Sequence, residues 1–230
     1  TSQDIHLPNG DIYIKKHMDG VIFAGEVDIR VIEEFRKQSI PVVLVNNYLD
    51  MDGLVCISAD HYGGAVQATE YLCKLGHCKI GLLSGRFSPQ VSEARIEGFV
   101  KTLAKYDIPV DDRFIADIEP ALEDGEEIMT RMLRGVDRPT AFFCTNDTIA
   151  AGAMKAVTRA GLRVPEDIAI IGFDDSYISR VVEPELTTVR IDAAKMGCLA
   201  MQTLFDLIAG MPVEKAHIQI PTELIVRGTA

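Results

Sequence analysis

No run of lysine and arginine, and no helix face rich in them, occurs in these 230 residues. Acidic side chains number 34 against 23 basic ones, a formal charge of −11. Gripping a polyanion takes clustered cations, so any action on DNA must run through another segment. No apolar stretch is long enough to cross a bilayer, and no secretory leader is visible. Thr1 is not an initiator methionine, so the expectation is that something upstream has been removed, a leader included among the possibilities. Cysteine is scarce: Cys56, Cys73, Cys78, Cys144 and Cys198 are odd in number and scattered, several within apolar stretches. That pattern reads as reduced, buried thiols in a cytoplasmic protein.

Enzyme signatures are missing too. There is no G-x-G-x-x-G, no G-x-S-x-G and no H-E-x-x-H. Gly20 to Gly25 has the spacing of a phosphate loop, but Glu26 follows where a lysine is needed. Cys73, His77 and Cys78 sit at a helix end before a strand and read as packing rather than a zinc site. Asn146-Asp147-Thr148 matches a glycosylation acceptor by accident, at a buried helix start. No enzyme, no metal and no cofactor are expected.

What is present is an ordered alternation. Hydrophobic content is 47%, enough for one large or two modest cores. Short β-branched runs take turns with longer helical segments. Strands are expected at 21–24, 40–45, 55–57, 79–84, 114–117, 141–144, 168–171, 187–191, 217–220 and 223–226. Helices are expected at 27–38, 62–75, 93–106, 122–133, 147–160 and 193–209, with Gly76 and Gly161 as left-handed stops. Val42-Val-Leu-Val45 and Ile168-Ala-Ile-Ile171 are apolar without alternation, as strands covered on both faces should be. The fold class is α/β: two lobes of doubly wound parallel sheet flanked by helices. The chain breaks near Gly85 to Ser88. Residues 1–85 with 193–215 are assigned to the N-terminal lobe, and 88–190 with 218–230 to the C-terminal lobe.

Ligands of open parallel sheets sit beyond the carboxyl ends of the strands. Those positions carry Asp60 and Tyr62, Arg95 on the helix after Ser84, Ile118 to Pro120, Asn146 and Asp147, and Asp174 with Asp175. Carboxylates, an amide and a guanidinium suit a neutral polyhydroxylated ligand. Each also has a plain structural reading. Asn146 or Asp147 suits a helix N-cap, Asp174-Asp175 a solvated turn, Arg95 a surface ion pair, and Tyr62 packing alone. Their shared place at the strand ends is what joins them.

The same residues resemble a known family. Leu75-Gly-His-Cys-Lys-Ile-Gly-Leu-Leu-Ser-Gly85 looks like the LGHRxIxxxxG signature of LacI/GalR-type bacterial repressors, and Ala94-Arg95-Ile-Glu-Gly98-Phe99 like their xRxxGF. Phe143-Cys-Thr-Asn146-Asp147 with Ala151-Gly-Ala153 is similar to xxxNDxxAxGA, and 161–175 to GxxVPxDIxxxGFDD. Asp19-Gly-Val-Ile22, Pro184 to Arg190 and Pro221 to Arg227 match further signatures, so the likeness runs from Asp19 to Thr229.

The resemblance implies a periplasmic-binding-protein-like effector domain with three crossovers, placed near Arg86-Phe87, Ile191-Asp192 and Ala216-His217. It implies that Arg95 grips a small sugar-like or nucleoside-like effector in a cleft between lobes. Asp174 would hold its hydroxyls, Asn146 would help, and Asp60 and Tyr62 would contribute from the first lobe. Ile118 and Pro120 stand where the family often has a stacking aromatic, and none is present here. It also implies a homodimer that shifts lobe arrangement on binding effector, and so its affinity for operator DNA through an N-terminal helix-turn-helix upstream of this chain. The family's opening strand-helix-strand is expected to be missing, which would leave an uncovered core. The rival readings are a free solute-binding protein for transport or chemotaxis and, further off, an enzyme using Asp174 and Asp175 as an acid–base pair.

Overall fold

The computed structural model describes residues 18–230 apart from 26, 48, 50, 52, 136, 214 and 215. In chain order the elements are β1 (Val21–Ala24), α1 (Ile29–Lys37), β2 (Val42–Val45), β3 (Val55–Ala59), α2 (His61–Lys74), β4 (Ile80–Gly85), α3 (Pro89–Lys105), β5 (Ile115–Ile118), α4 (Leu122–Met132), β6 (Ala141–Cys144), α5 (Asp147–Arg159), β7 (Ala169–Asp174), β8 (Thr187–Arg190), α6 (Ala193–Ile208), β9 (His217–Ile220) and β10 (Glu223–Ile225). The described residues form two compact units, 18–59 with 192–220 and 60–191 with 221–230.

The helices start and stop for local reasons. Asp28, Asp60, Asn146 and Asp192 each accept a backbone N–H in the first turn of the helix that follows. Pro89 sits in the first turn of α3, behind Ser88 at the cap position. The fixed proline φ suits that turn and its missing N–H costs nothing there, so α3 begins four residues before the expected 93. Gly76 ends α2 with φ +90°, a conformation that a side chain resists.

The first unit holds a parallel sheet in the order β1-β2-β3-β9. Ile32 and Phe35 of α1 pack on Val42, Leu44 and Cys56, the alternate residues of β2 and β3. Helix α6 lies over β1, β2 and β3 and buries Met196, Ala200, Thr203 and Leu204. A second apolar stripe, Met201, Phe205 and Ile208, is exposed to 45%, 58% and 43%. An arc that wide exceeds what one sheet face covers, and among the described residues β1 ends the sheet. The expected absence of an opening strand-helix-strand bears on residues 1–17, which lie outside the described residues.

The second unit holds a sheet in the order β10-β8-β7-β6-β4-β5, parallel except where β10 runs antiparallel to β8. Alternation sends Leu83, Phe142, Cys144 and Ile170 to the face under α4 and α5. It sends Leu82, Phe143, Ile171 and Phe173 to the face under α2 and α3. The expected division at residue 85 is corrected here. Strand β4 hydrogen-bonds to β5 and β6 and α2 packs on α3, so residues 60–85 belong to the second unit. The chain passes between units at 59–60, 191–192 and 220–221 rather than near Arg86 or Ala216.

Helices α4 and α5 approach to backbone distance. A Cβ on Gly152 would overlap the Leu122 carbonyl oxygen and lie 2.8 Å from Glu126 N. Alanine in an open helix interior stabilises by up to about 1 kcal/mol relative to glycine. Here neither backbone can yield, so Gly152→Ala should instead destabilise by about 1–3 kcal/mol, read from urea midpoints. A neutral or stabilising result would mean the two helices part easily.

Candidate functional site

Strands β4 to β8 are mutually parallel, so their carboxyl ends share one edge of the second sheet. Helix α3 sends one charged residue back to that edge. Its inward stripe is Val91, Arg95, Gly98, Phe99, Thr102 and Leu103, which puts a guanidinium among apolar neighbours at 3% exposure. A cation taken from water loses several kcal/mol unless it is answered by partners. The plane lies 4.0 Å from the Phe173 ring centroid and 4.9 Å from that of Phe87, a cation–π setting. Its edges donate to the Thr145 carbonyl, to His61 Nδ1 at 3.2 Å and to Asp174 Oδ1 at 3.3 Å.

His61 opens α2 and is buried. Burial, and then the charge on Arg95, push its pKa down to about 3. The ring is therefore neutral, Nδ1 accepts from Arg95, and the proton sits on Nε2. Asp174 ends β7, with a side chain 36% exposed. Loss of solvation pushes its carboxyl up to about 6, although Arg95 pulls the other way. Next to it, Asp175 is closed off from water at 2% exposure. Burial alone would raise its pKa. Hydrogen bonds from Arg227, Arg190 and Ser179 overcome that and hold it at about 2. Both residues have positive φ, +106° and +50°. Non-glycine residues there cost about 1–3 kcal/mol each unless their surroundings hold them. Asp147 is also buried, and burial raises its pKa; it accepts from Thr188 Oγ1 and, at 2.6 Å, from Ser176 N.

The structure brings some of the expected residues together and separates others. Arg95 and Asp174 touch. Asn146 follows the Thr145 carbonyl that Arg95 binds, while its own Oδ1 caps α5 through Ile149 N at 2.8 Å. Asp60 caps α2 through Gly63 N at 2.8 Å and immediately precedes His61. Tyr62 turns elsewhere: the residue is 38% exposed, with Lys101 Nζ 5.8 Å from its ring centroid. Ile118 packs against the core under α4 and α5 on the outermost strand, and its carbonyl accepts from Arg86 N at 2.8 Å. Pro120 is half-buried in the turn after it.

His61, Phe87 and the Thr145 carbonyl were not anticipated. His61 had a signal, because His61, Ala65, Thr69, Leu72 and Cys73 form the buried stripe of α2. A surface hollow of about 750 Å3 between α4 and α5, lined by Glu123, Glu126, Arg131 and Arg159, contains none of the residues around Arg95. Among the described residues no cluster of His, Cys, Asp or Glu could hold a metal.

Comparison with known proteins adds an independent line. Residues 69–230 match the family described as periplasmic binding protein-like domain. The chain is 34% identical over 223 residues to a probable HTH-type transcriptional repressor, ExuR, of Bacillus subtilis, covering 96% of this chain and 67% of that protein. The first curated relatives it matches are thus spanned over about two thirds of their length. A regulatory protein of the LacI family from Chloroflexus aggregans superposes with a TM-score of 0.84 at 31% identity, covering 92% of this chain and 76% of the other. A LacI-family regulator from Enterococcus faecium with bound ribose gives 0.83 at 27% identity, covering 92% and 79%.

The raised carboxyl of Asp174 has a consequence for stability. Its folded pKa lies above the unfolded value near 4, so the protonated form favours folding. That contribution is full below about pH 4 and is lost as pH rises through about 6. Asp174→Asn should therefore gain on the parent steadily between pH 4 and 7 in urea midpoints. Parallel profiles for the two proteins would show an ordinary, solvated carboxyl.

Proposed function

As the chain belongs to the periplasmic-binding-protein-like effector domains of LacI-type transcriptional regulators, we propose that it senses a small neutral polyhydroxylated molecule, a sugar or nucleoside, at the carboxyl edge of its second sheet. One observation carries this reading. Arg95 is buried against the rings of Phe173 and Phe87, yet it is shared with a carboxylate that is still partly open to water. A ligand with adjacent hydroxyls can accept from the guanidinium and donate to Asp174, replacing water without bringing a charge of its own. An anionic ligand would have to displace Asp174 from Arg95, which the local charge disfavours. Asn146, Asp60, Tyr62, Ile118 and Pro120 remain candidate contacts. Arg95 and Asp174 are the two on which we expect affinity to depend most.

The relatives are repressors rather than enzymes, and the proposed output is control of DNA binding. That control runs through a helix-turn-helix in a segment other than this one, in a cytoplasmic homodimer. No helix among the described residues is long and apolar enough to cross a membrane. For the effector to alter DNA affinity it must bind one conformation of the regulator better than another, since equal binding shifts nothing. The ribose held by the Enterococcus faecium regulator is in keeping with this ligand class.

The test is a thermal-shift screen with D-ribose, other pentoses and hexoses, disaccharides and nucleosides, followed by calorimetry on the best ligand. Arg95→Met keeps the length and packing of the side chain and removes the charged fork. It should cost about 2–3 kcal/mol of binding, roughly 30- to 150-fold in affinity, while the protein stays folded. Unchanged affinity in a folded Arg95→Met variant would reject the assignment.

A further inference from the structure

Asp174 is held to Arg95 by a single contact at 3.3 Å, whereas the residues after it are bound on every side. The Asp175 carboxylate accepts from Arg227 Nη2 at 2.5 Å, Arg190 Nε at 2.8 Å, Ser179 Oγ at 3.1 Å and Arg180 Nη2 at 3.3 Å. The Asp175 N–H donates to Thr188 Oγ1 at 3.4 Å, and the Ser176 N–H to Asp147 Oδ2 at 2.6 Å. Arg227 is itself fixed: Nη1 donates to the Leu186 carbonyl at 2.7 Å and its backbone N–H to Thr187 Oγ1 at 2.9 Å. Three cations from three places in the chain meet one buried carboxylate: the turn Tyr177–Arg180, strand β8, and the segment after β10. A turn that merely needed closing would be served by one. In this segment 174 and 175 have positive φ, so the left-handed stretch lies between the last paired residue of β7, Asp174 opposite Arg190, and this cluster.

We propose that Asp175 and Arg227 are positioning residues: by clamping the backbone beyond β7 they hold the Asp174 carboxylate at Arg95, in place for the effector. This rests on the reading of Arg95 and Asp174 as effector contacts, but its mechanism can be tested without any effector. Rotation of a backbone dihedral at 174 or 175 swings the Asp174 side chain away from the edge. With Arg227 shortened, Asp175 loses its closest partner and the unfavourable φ is free to relax. Asp174 then leaves Arg95 and enters water. The groups facing Asp174 are Arg95 from α3 and Asp147 from α5, with neutral His61 of α2 behind Arg95. None of them is altered by a change at 227.

The experiment is a side-chain carboxyl 13C NMR titration of Asp174 in the effector-free protein, on the parent and on Arg227→Met and Arg227→Lys. The parent should titrate near 6. In Arg227→Met the Asp174 midpoint should fall by at least one pH unit toward the usual carboxylate range, and Arg227→Lys, which keeps the charge but not the fork, should recover part of the difference. A folded Arg227→Met variant whose Asp174 midpoint moves by less than about 0.2 units overturns the proposal and leaves the cluster a simple brace. If Arg227→Met does not fold, the same titration on Arg190→Met and Arg180→Met decides. The residues they alter are 40% and 60% exposed, and a downward shift larger for the closer Arg190 is expected, with no shift in either again overturning it. Affinity for the ligand from the screen, D-ribose in the first instance, is measured separately. A shifted midpoint with no ribose binding would leave the clamp standing and count against the choice of ligand.

Discussion

A guanidinium withdrawn from water has to be answered on all sides, and the carboxyl edge of the second sheet is organised around that demand. Helix α3 carries Arg95 on its buried stripe because the residues one turn to either side, Val91 and Phe99, are apolar and buried, Phe99 within the core under the sheet. Three other described elements contribute to the answer: a carbonyl after β6, a carboxylate at the end of β7, and the first ring of α2. Strand order makes this possible, since β6 and β7 are neighbours in the sheet and α2 packs beside α3. The rings of Phe173 and Phe87 cover the faces that no hydrogen bond can reach.

Two consecutive aspartates show how environment divides one residue type into two jobs. Asp175, itself buried, accepts from Arg227, Arg190 and Ser179 and so stays ionised well below the ordinary range. Asp174 faces one arginine and loses more solvation than that arginine returns, so it sits near neutrality while keeping an open side. A carboxyl that is partly open and poorly satisfied suits an exchangeable partner. A carboxylate with four donors suits a fixed one. The same contrast appears at Asn146, whose side-chain oxygen is committed to the helix it caps.

Much of this was legible in the linear pattern. The alternation of apolar runs and helical segments placed the described strands and α-helices within a few residues, because each run is buried by the period of its own element. The glycine of Ala151-Gly152-Ala153 was read only as part of a family signature, and the structure shows it where α4 and α5 meet at the backbone. The assignment of β4 to a lobe was less legible. Its residues, Ile80 to Gly85, are apolar throughout, and a run buried on both faces looks alike in either sheet. Hydrogen bonding to β5 and β6, more than 25 residues further on, places it in the second unit. Tyr62 and His61 are a matter of helix phase. One position apart on α2 they differ by about 100°, which buries His61 beside Arg95 and leaves Tyr62 at the surface.

The sequence by itself determined the α/β class, the element order and the kinship with LacI-type effector domains, since these depend on local periodicity and on motifs that lie along the chain. Only the tertiary structure decided which sheet β4 joins, where the chain passes from one unit to the other, and which groups surround Arg95. Those outcomes depend on pairings between residues far apart in sequence: Arg95 with Asp174, and Asp175 with Arg227. Distance along the chain carries no information about such neighbours until the sheet has chosen its order.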